Sequence, residues 1–163
     1  MAKTHPIAHQ PSWTIASDTV ELSLTQLGGH MAPVKFATNR KTPIAPYYIN
    51  PWHGEVKKTG VPVLDPLRGD FFCLPFGGNG TEFKGEQHTP HGDTAARTWS
   101  LVSAGREGNV TSLVAKMRTK VRKGTVTKTL SLIDGQNVVY CRHDITGMTG
   151  KLPLGHHATL AVP

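Results

Sequence analysis

From Leu113 to Arg122 the chain alternates strictly, with Leu113, Ala115, Met117, Thr119 and Val121 on one side and Lys116, Arg118, Lys120 and Arg122 on the other. Successive side chains of a strand point to opposite faces, so this period of two predicts a strand with one buried and one solvated face. An amphipathic helix, with its period of 3.6, is excluded over this stretch. The basic row is then the solvated face rather than an anion-binding stripe. The next stretch predicts a hairpin: Thr125 to Ile133, then Asp134-Gly135, then Gln136 to His143. Asp-Gly between two β-rich runs supplies the positive φ angles of a tight primed turn. Shorter alternations mark two further strands, one at Val20, Leu22 and Leu24, the other at Trp99, Leu101 and Ser103 and ending near Gly105. Trp99 is expected in the core. No capped apolar period of helical length occurs, so the fold class is all-β, an antiparallel β-sandwich.

With 163 residues, 37% of them hydrophobic, the chain can bury one core and is expected to form a single domain. Residues 1–17 are expected to be an N-terminal tail and residues 18–163 the sandwich. No apolar run approaches the roughly 18 residues of a spanning helix, and no secretory signal opens the chain, so no membrane partner and a cytoplasmic location are expected. The formal net charge is +7, but only 18% of residues are charged and no aromatics interleave with Lys and Arg, which argues against nucleic acid as a partner. The two cysteines, Cys73 and Cys141, lie in apolar contexts and are read as free buried thiols, with neither a disulfide nor a Cys-based zinc site.

Between Asn39 and Arg97 the pattern breaks. Prolines recur, glycines cluster at Gly77-Gly78-Asn79-Gly80, and only Val61 to Leu64 and Phe71 to Leu74 read as short strands. Long irregular segments in compact domains are commonly functional, and Tyr47, Tyr48, Trp52, Phe71, Phe72, Phe76 and Phe83 give this one something to pack with. The functional site is expected here. At the other end, Ala161-Val162-Pro163 follows a segment that enters another strand, so the chain reads as the front part of a longer protein. An exposed sheet edge is expected to favour a homodimer.

Nine histidines are present, and His53, His88, His91, His143 and the pair His156-His157 stand in suggestive company. Imidazole exchanges a proton near neutral pH and also ligates metals. A metal reading would take His88, His91 and a third group such as Glu86, but His-x-x-His around a proline lies on no helix and fits no zinc spacing. Neither a metal nor another cofactor is therefore expected. For any single histidine, a ring nitrogen bonded to a backbone carbonyl is the default role.

Arg68-Gly69-Asp70-Phe71-Phe72-Cys73-Leu74-Pro75-Phe76-Gly77, followed by His91-Gly92-Asp93-Thr94-Ala95-Ala96-Arg97-Thr98-Trp99, resembles the aldose 1-epimerase pattern of the galactose mutarotase-like superfamily. There an apolar strand ending in Pro-aromatic-Gly precedes a His-Gly dipeptide, and an Arg and a Trp lead into the next strand. Gly124 to Lys128, the Asp134-Gly135 turn and Pro153-Leu154-Gly155-His156-His157 are similar to the family's run into its second essential histidine, and Gly28-Gly29-His30 sits where the first hairpin turns on a glycine pair. The resemblance implies a carbohydrate-binding sandwich whose ligand is a monosaccharide or sugar phosphate, and an aldose 1-epimerase interconverting anomers by general acid/base catalysis. It implies His157 as the acid and His91 as a hydrogen-bonding partner of the ring oxygen or a neighbouring hydroxyl. Arg68 or Arg97 would fork onto hydroxyls, Trp52 or Phe76 would stack on the pyranose, and His88 would add a further substrate contact. No residue here matches the family's carboxylate base, and Ala158-Thr159-Leu160 replaces the aromatic pair after the second histidine. The alternatives are a non-catalytic sugar-binding or structural module and a metal-dependent β-barrel enzyme. Convergence of His91 and His157 in one cleft with an arginine favours polar ligand binding or chemistry.

Overall fold

The computed structural model describes residues 3–55 and 59–162, and among them the alternating segments become strands. In chain order these are β1 (His5–Ile7), β2 (Gln10–Ala16), β3 (Val20–Thr25), β4 (Met31–Phe36), β5 (Asp70–Cys73), a single helical turn α1 (Gly92–Ala96), β6 (Ser100–Glu107), β7 (Val110–Thr119), β8 (Gly124–Ile133), β9 (Tyr140–Thr146) and β10 (Gly155–Ala158). Two sheets form, with orders β1-β2-β3-β4-β5-β10 and β6-β7-β8-β9. Every pairing between these strands is antiparallel, so the fold is an all-β sandwich. Trp13, Leu22, Leu24, Val34 and Phe72 of the first sheet meet Leu113, Ala115, Met117, Val126 and Leu130 of the second in the main core. Trp99 is fully buried there, as expected. No helix among the described residues is long and apolar enough to cross a membrane.

Several expectations change. Of the anticipated tail, Met1 and Ala2 lie outside the described residues, while residues 5–16 enter the first sheet as β1 and β2. Trp13 and Ile15 decide this, because their alternation gives β2 a buried face. In β7, Leu113, Ala115, Met117 and Thr119 are buried and Lys116 and Arg118 exposed, but the strand stops at Thr119. The next turn is held by Asp93, whose Oδ2 accepts from the backbone N–H groups of Lys120 and Val121. The Asp134-Gly135 turn forms without a tight hairpin: Ser131 pairs with Tyr140, so residues 134–139 make a wider loop. That loop is drawn onto the first sheet, where Gly135 N–H donates to Asp18, Thr19 Oγ1 donates to the Gln136 carbonyl and Asn137 Oδ1 accepts from Ala37 N–H. Val61 to Leu64 is a turn rather than a strand. Cys73 is buried, but Cys141 is exposed on the edge strand β9.

β5 is what positions the site. Phe72 points into the main core, whereas Phe71 and Cys73 point to the opposite face and pack with Val63 and Ala95 in a second apolar cluster. A strand buried on both faces reads as a continuous apolar run, and Phe71-Phe72-Cys73 is one. The loops between β4 and β6 cover that outer face. Gly69 makes the entry possible: its φ is +50°, and a Cβ there would lie 2.0 Å from the Met31 carbonyl oxygen.

Candidate functional site

β10 lies along β5 with His156 opposite Phe72 and His157 opposite Phe71. The period of two therefore sends the two adjacent histidines to opposite faces of the sheet. His157 goes to the outer face and stacks on Phe71 with ring centroids 4.8 Å apart, while His30 stacks on Phe71 from the β4 side at 4.2 Å. His91 completes the group. It immediately precedes α1 in the left-handed conformation, φ +63°, and its ring stands edge-on to His157 at 4.9 Å. Phe76 borders both, with centroids 5.7 Å from His91 and 6.2 Å from His157.

Backbone geometry explains the His91-Gly92 dipeptide. His91 N–H donates to the Gly77 carbonyl at 2.7 Å, and a Cβ on Gly92, whose φ is +75°, would lie 2.1 Å from the Leu74 carbonyl oxygen. Only glycine lets the chain pass this close to the end of β5 and hand His91 to His157.

Burial, and then the neighbouring His157, lower the His91 pKa and favour the neutral ring. His91 Nδ1 and His157 Nδ1 are buried without a protein partner, so a ligand hydroxyl or a water is the group that would satisfy them. His30 is different. It is wholly buried, its Nε2 donates to the Ala95 carbonyl at 2.9 Å, and its Nδ1 accepts from Arg68 N–H at 3.3 Å. Burial pushes its pKa down to about 3, with the charges of Lys128 and Arg68 acting the same way, so it supports Phe71 as a neutral ring.

The arginines do not join the histidines. Arg68 is fully buried and its guanidinium is spent on the fold: Nε donates to the Pro66 carbonyl, Nη1 to Ile7 and Nη2 to Ala8. This departs from the sugar-binding role expected of Arg68, because the β1–β2 turn has taken its donors. Arg97 donates from Nε to Asp93 and lines another depression, beside Leu27, Pro62 and Arg118. Trp52 donates its indole N–H to the Leu64 carbonyl within its own loop. His53 stacks with His9.

Phe76 and His88 do come together, on the rim of a groove of about 320 Å³ that shares Phe76 with the histidine pair and is also lined by Phe83, Glu86, Arg122 and Lys151. Glu86 accepts from Arg122 at 2.9 and 2.6 Å and from His88 at 3.1 Å. The Arg122 guanidinium, with His88 second, holds this carboxyl down to about 2. Arg122 and His30 are residues that the sequence left out of the site, and Glu86 entered it only as a possible third metal ligand. The glycine pair before His30 was legible only as a turn.

No family model and no curated protein matches this chain. Among solved structures, the Slr1438 protein from Synechocystis sp. PCC 6803 superposes with a TM-score of 0.61 at 13% identity, over 89% of this chain and 50% of that one. The chain shares the fold of the Slr1438 protein. A candidate aldose 1-epimerase from Escherichia coli K12 aligns with a TM-score of 0.44 at 22% identity, over 76% of this chain and 42% of that one. The chain thus spans half or less of the length of each of these structures.

Proposed function

We propose that this protein binds a monosaccharide or sugar phosphate where His91 and His157 meet, as a galactose mutarotase-like protein. The observation that carries this reading is the convergence of two histidines, 66 positions apart, at 4.9 Å between ring centroids. Two unpartnered ring nitrogens face no protein group there, and a half-exposed Phe76 offers an apolar surface alongside. Hydroxyls that pair with imidazole and a C–H face that packs on an aromatic ring are what a pyranose presents. The groove on the other side of Phe76, with Lys151 on its rim, would receive a phosphate substituent.

In anomer exchange, His157 would protonate the ring oxygen while a base takes the proton of the anomeric hydroxyl, and the ring recloses after the carbonyl face rotates. His91, favoured in its neutral form by burial, would accept a hydrogen bond at that hydroxyl. A second reading, binding without turnover, is favoured by a specific observation: among the described residues no carboxylate bonds to His91 or His157, and Arg68 and Arg97 are engaged elsewhere.

One-dimensional proton NMR on a panel of aldoses and sugar phosphates separates the outcomes. Faster anomer exchange that disappears in His157→Ala supports catalysis, and line broadening without faster exchange supports binding alone. If no sugar broadens or exchanges faster, the carbohydrate reading is refuted.

A further inference from the structure

The inter-sheet face of β10 carries a second group of side chains, on the opposite face of the strand from His157. On β9, Cys141 and His143 sit opposite Leu130 and Lys128 of β8, whose side chains are buried between the sheets. His156 approaches from β10, the edge strand of the other sheet. One donor atom from each of Cys141, His143 and His156 lies within 4.8 Å of the other two. Cys141 Sγ is 4.0 Å from His143 Nδ1, and the rings of His143 and His156 stand 5.1 Å apart.

Two further features point to a ligand. His143 stacks on Phe72 at 4.0 Å, which fixes its plane, and its Nε2 is buried without a partner. His156 has its Nδ1 2.7 Å from Asp70 Oδ2, so the carboxylate selects the tautomer with the proton on Nδ1 and leaves Nε2 as a lone-pair donor. A carboxylate behind a histidine in this way is the outer-shell device that orients metal-binding imidazoles.

We propose that Cys141, His143 and His156 bind a thiophilic transition-metal cation of the Zn²⁺ class, which ties β9 to β10 across the open side of the sandwich. One sulfur and two imidazole nitrogens suit such a cation and disfavour Mg²⁺ or Ca²⁺, which take oxygen. A tetrahedral Zn²⁺ with bonds of about 2.0 to 2.3 Å holds its donors roughly 3.3 to 3.7 Å apart. The present spread of up to 4.8 Å is wider, and binding would require the side chains of Cys141 and His156, both exposed on edge strands, to rotate toward the cation. Lys128, across from His143, is the like charge the site must tolerate, and its ammonium is held by the Gly29 carbonyl at 2.7 Å. Three protein donors leave a fourth position to water or another ligand.

The test is titration of the whole, metal-stripped and reduced chain with Co²⁺, followed by displacement with Zn²⁺. One equivalent of Co²⁺ is expected to produce a thiolate-to-metal charge-transfer band that Zn²⁺ removes, and Zn²⁺ is expected to raise the melting temperature. Cys141→Ser is expected to abolish the band and weaken Zn²⁺ at least 100-fold, and His143→Gln at least tenfold, with unchanged circular dichroism. Asp70→Asn is expected to keep the band and bind roughly 10- to 100-fold more weakly. Cys73→Ala and His157→Ala are expected to keep the band, which separates this site from the other thiol and from the sugar site. Absence of a thiolate band at saturating Co²⁺, or unchanged Zn²⁺ affinity in both Cys141→Ser and His143→Gln, overturns the proposal.

Discussion

Acid should destabilise this protein in part through His30. Unfolded, the imidazole titrates near 6.5; folded, burial pushes it down to about 3. Between those values the unfolded chain holds a proton that the native state does not, so stability falls as pH falls. Each pH unit well inside that window removes about 1.4 kcal/mol, which comes to about 2 kcal/mol between pH 6.5, where the unfolded ring is only half protonated, and pH 4.5. That is a large part of the roughly 5–15 kcal/mol that holds a domain of ordinary stability together. The perturbation is His30→Gln, which cannot titrate and retains a donor toward the Ala95 carbonyl. It leaves Arg68 N–H without its partner, a loss of about 1–2 kcal/mol at every pH. Urea denaturation of both proteins at pH 7.5, 6.0, 5.0 and 4.5 gives the comparison. The wild type should lose about 3 kcal/mol more than the variant across the acid range, so that the two stabilities approach or cross. Burial also lowers His143, to about 2, and His91, but both are common to the two chains and cancel in the comparison. Parallel stability profiles would refute the reasoning, because His30 would then titrate alike in both states.

Arg68→Met should destabilise the fold by about 3 kcal/mol in chemical denaturation, since the carbonyls of Ile7, Ala8 and Pro66 lose their common donor. Proteolysis should then begin at the β1–β2 turn. Gly92→Ala should cost at least about 2 kcal/mol and weaken any sugar binding, because the added Cβ collides with the Leu74 carbonyl and displaces His91. A normally stable Gly92→Ala protein would contradict the close approach. Phe76→Ala should leave the melting temperature almost unchanged, as the ring is 43% exposed, while weakening sugar affinity by about tenfold in NMR titration.

The sandwich was legible because its evidence is local. Alternation at Val20–Thr25 and Leu113–Thr119 tells which side chains share a face; in β7 the two faces came out buried and solvated as the pattern requires, whereas in β3 the polar Ser23 and Thr25 are buried as well, under neighbouring chain that the local pattern does not reveal. The same rule, applied to residues 12–16, would have placed Trp13 and Ile15 inside; the polar and proline-bearing residues before them hid it. His91 and His157 were found through short motifs, yet nothing in their spacing says that they meet. That depends on β10 pairing with β5 rather than with β9, a choice made by long-range register.

Arg68 shows the limit most clearly. As a residue type it suits a sugar as well as it suits a core, and what decided its role were two carbonyls about 60 positions earlier in the chain. Cys141 and His143, two residues apart on a strand, share a face by the local rule, but the third donor, His156, arrives from the other sheet. By itself the sequence determined the fold class, the faces of its strands and the glycines its turns demand, because these follow from backbone sterics and a period of two. Which strand lies beside which, and so which histidines meet and which arginine is spent on the fold, was decided only by tertiary packing, where the burial of apolar surface brings distant positions together.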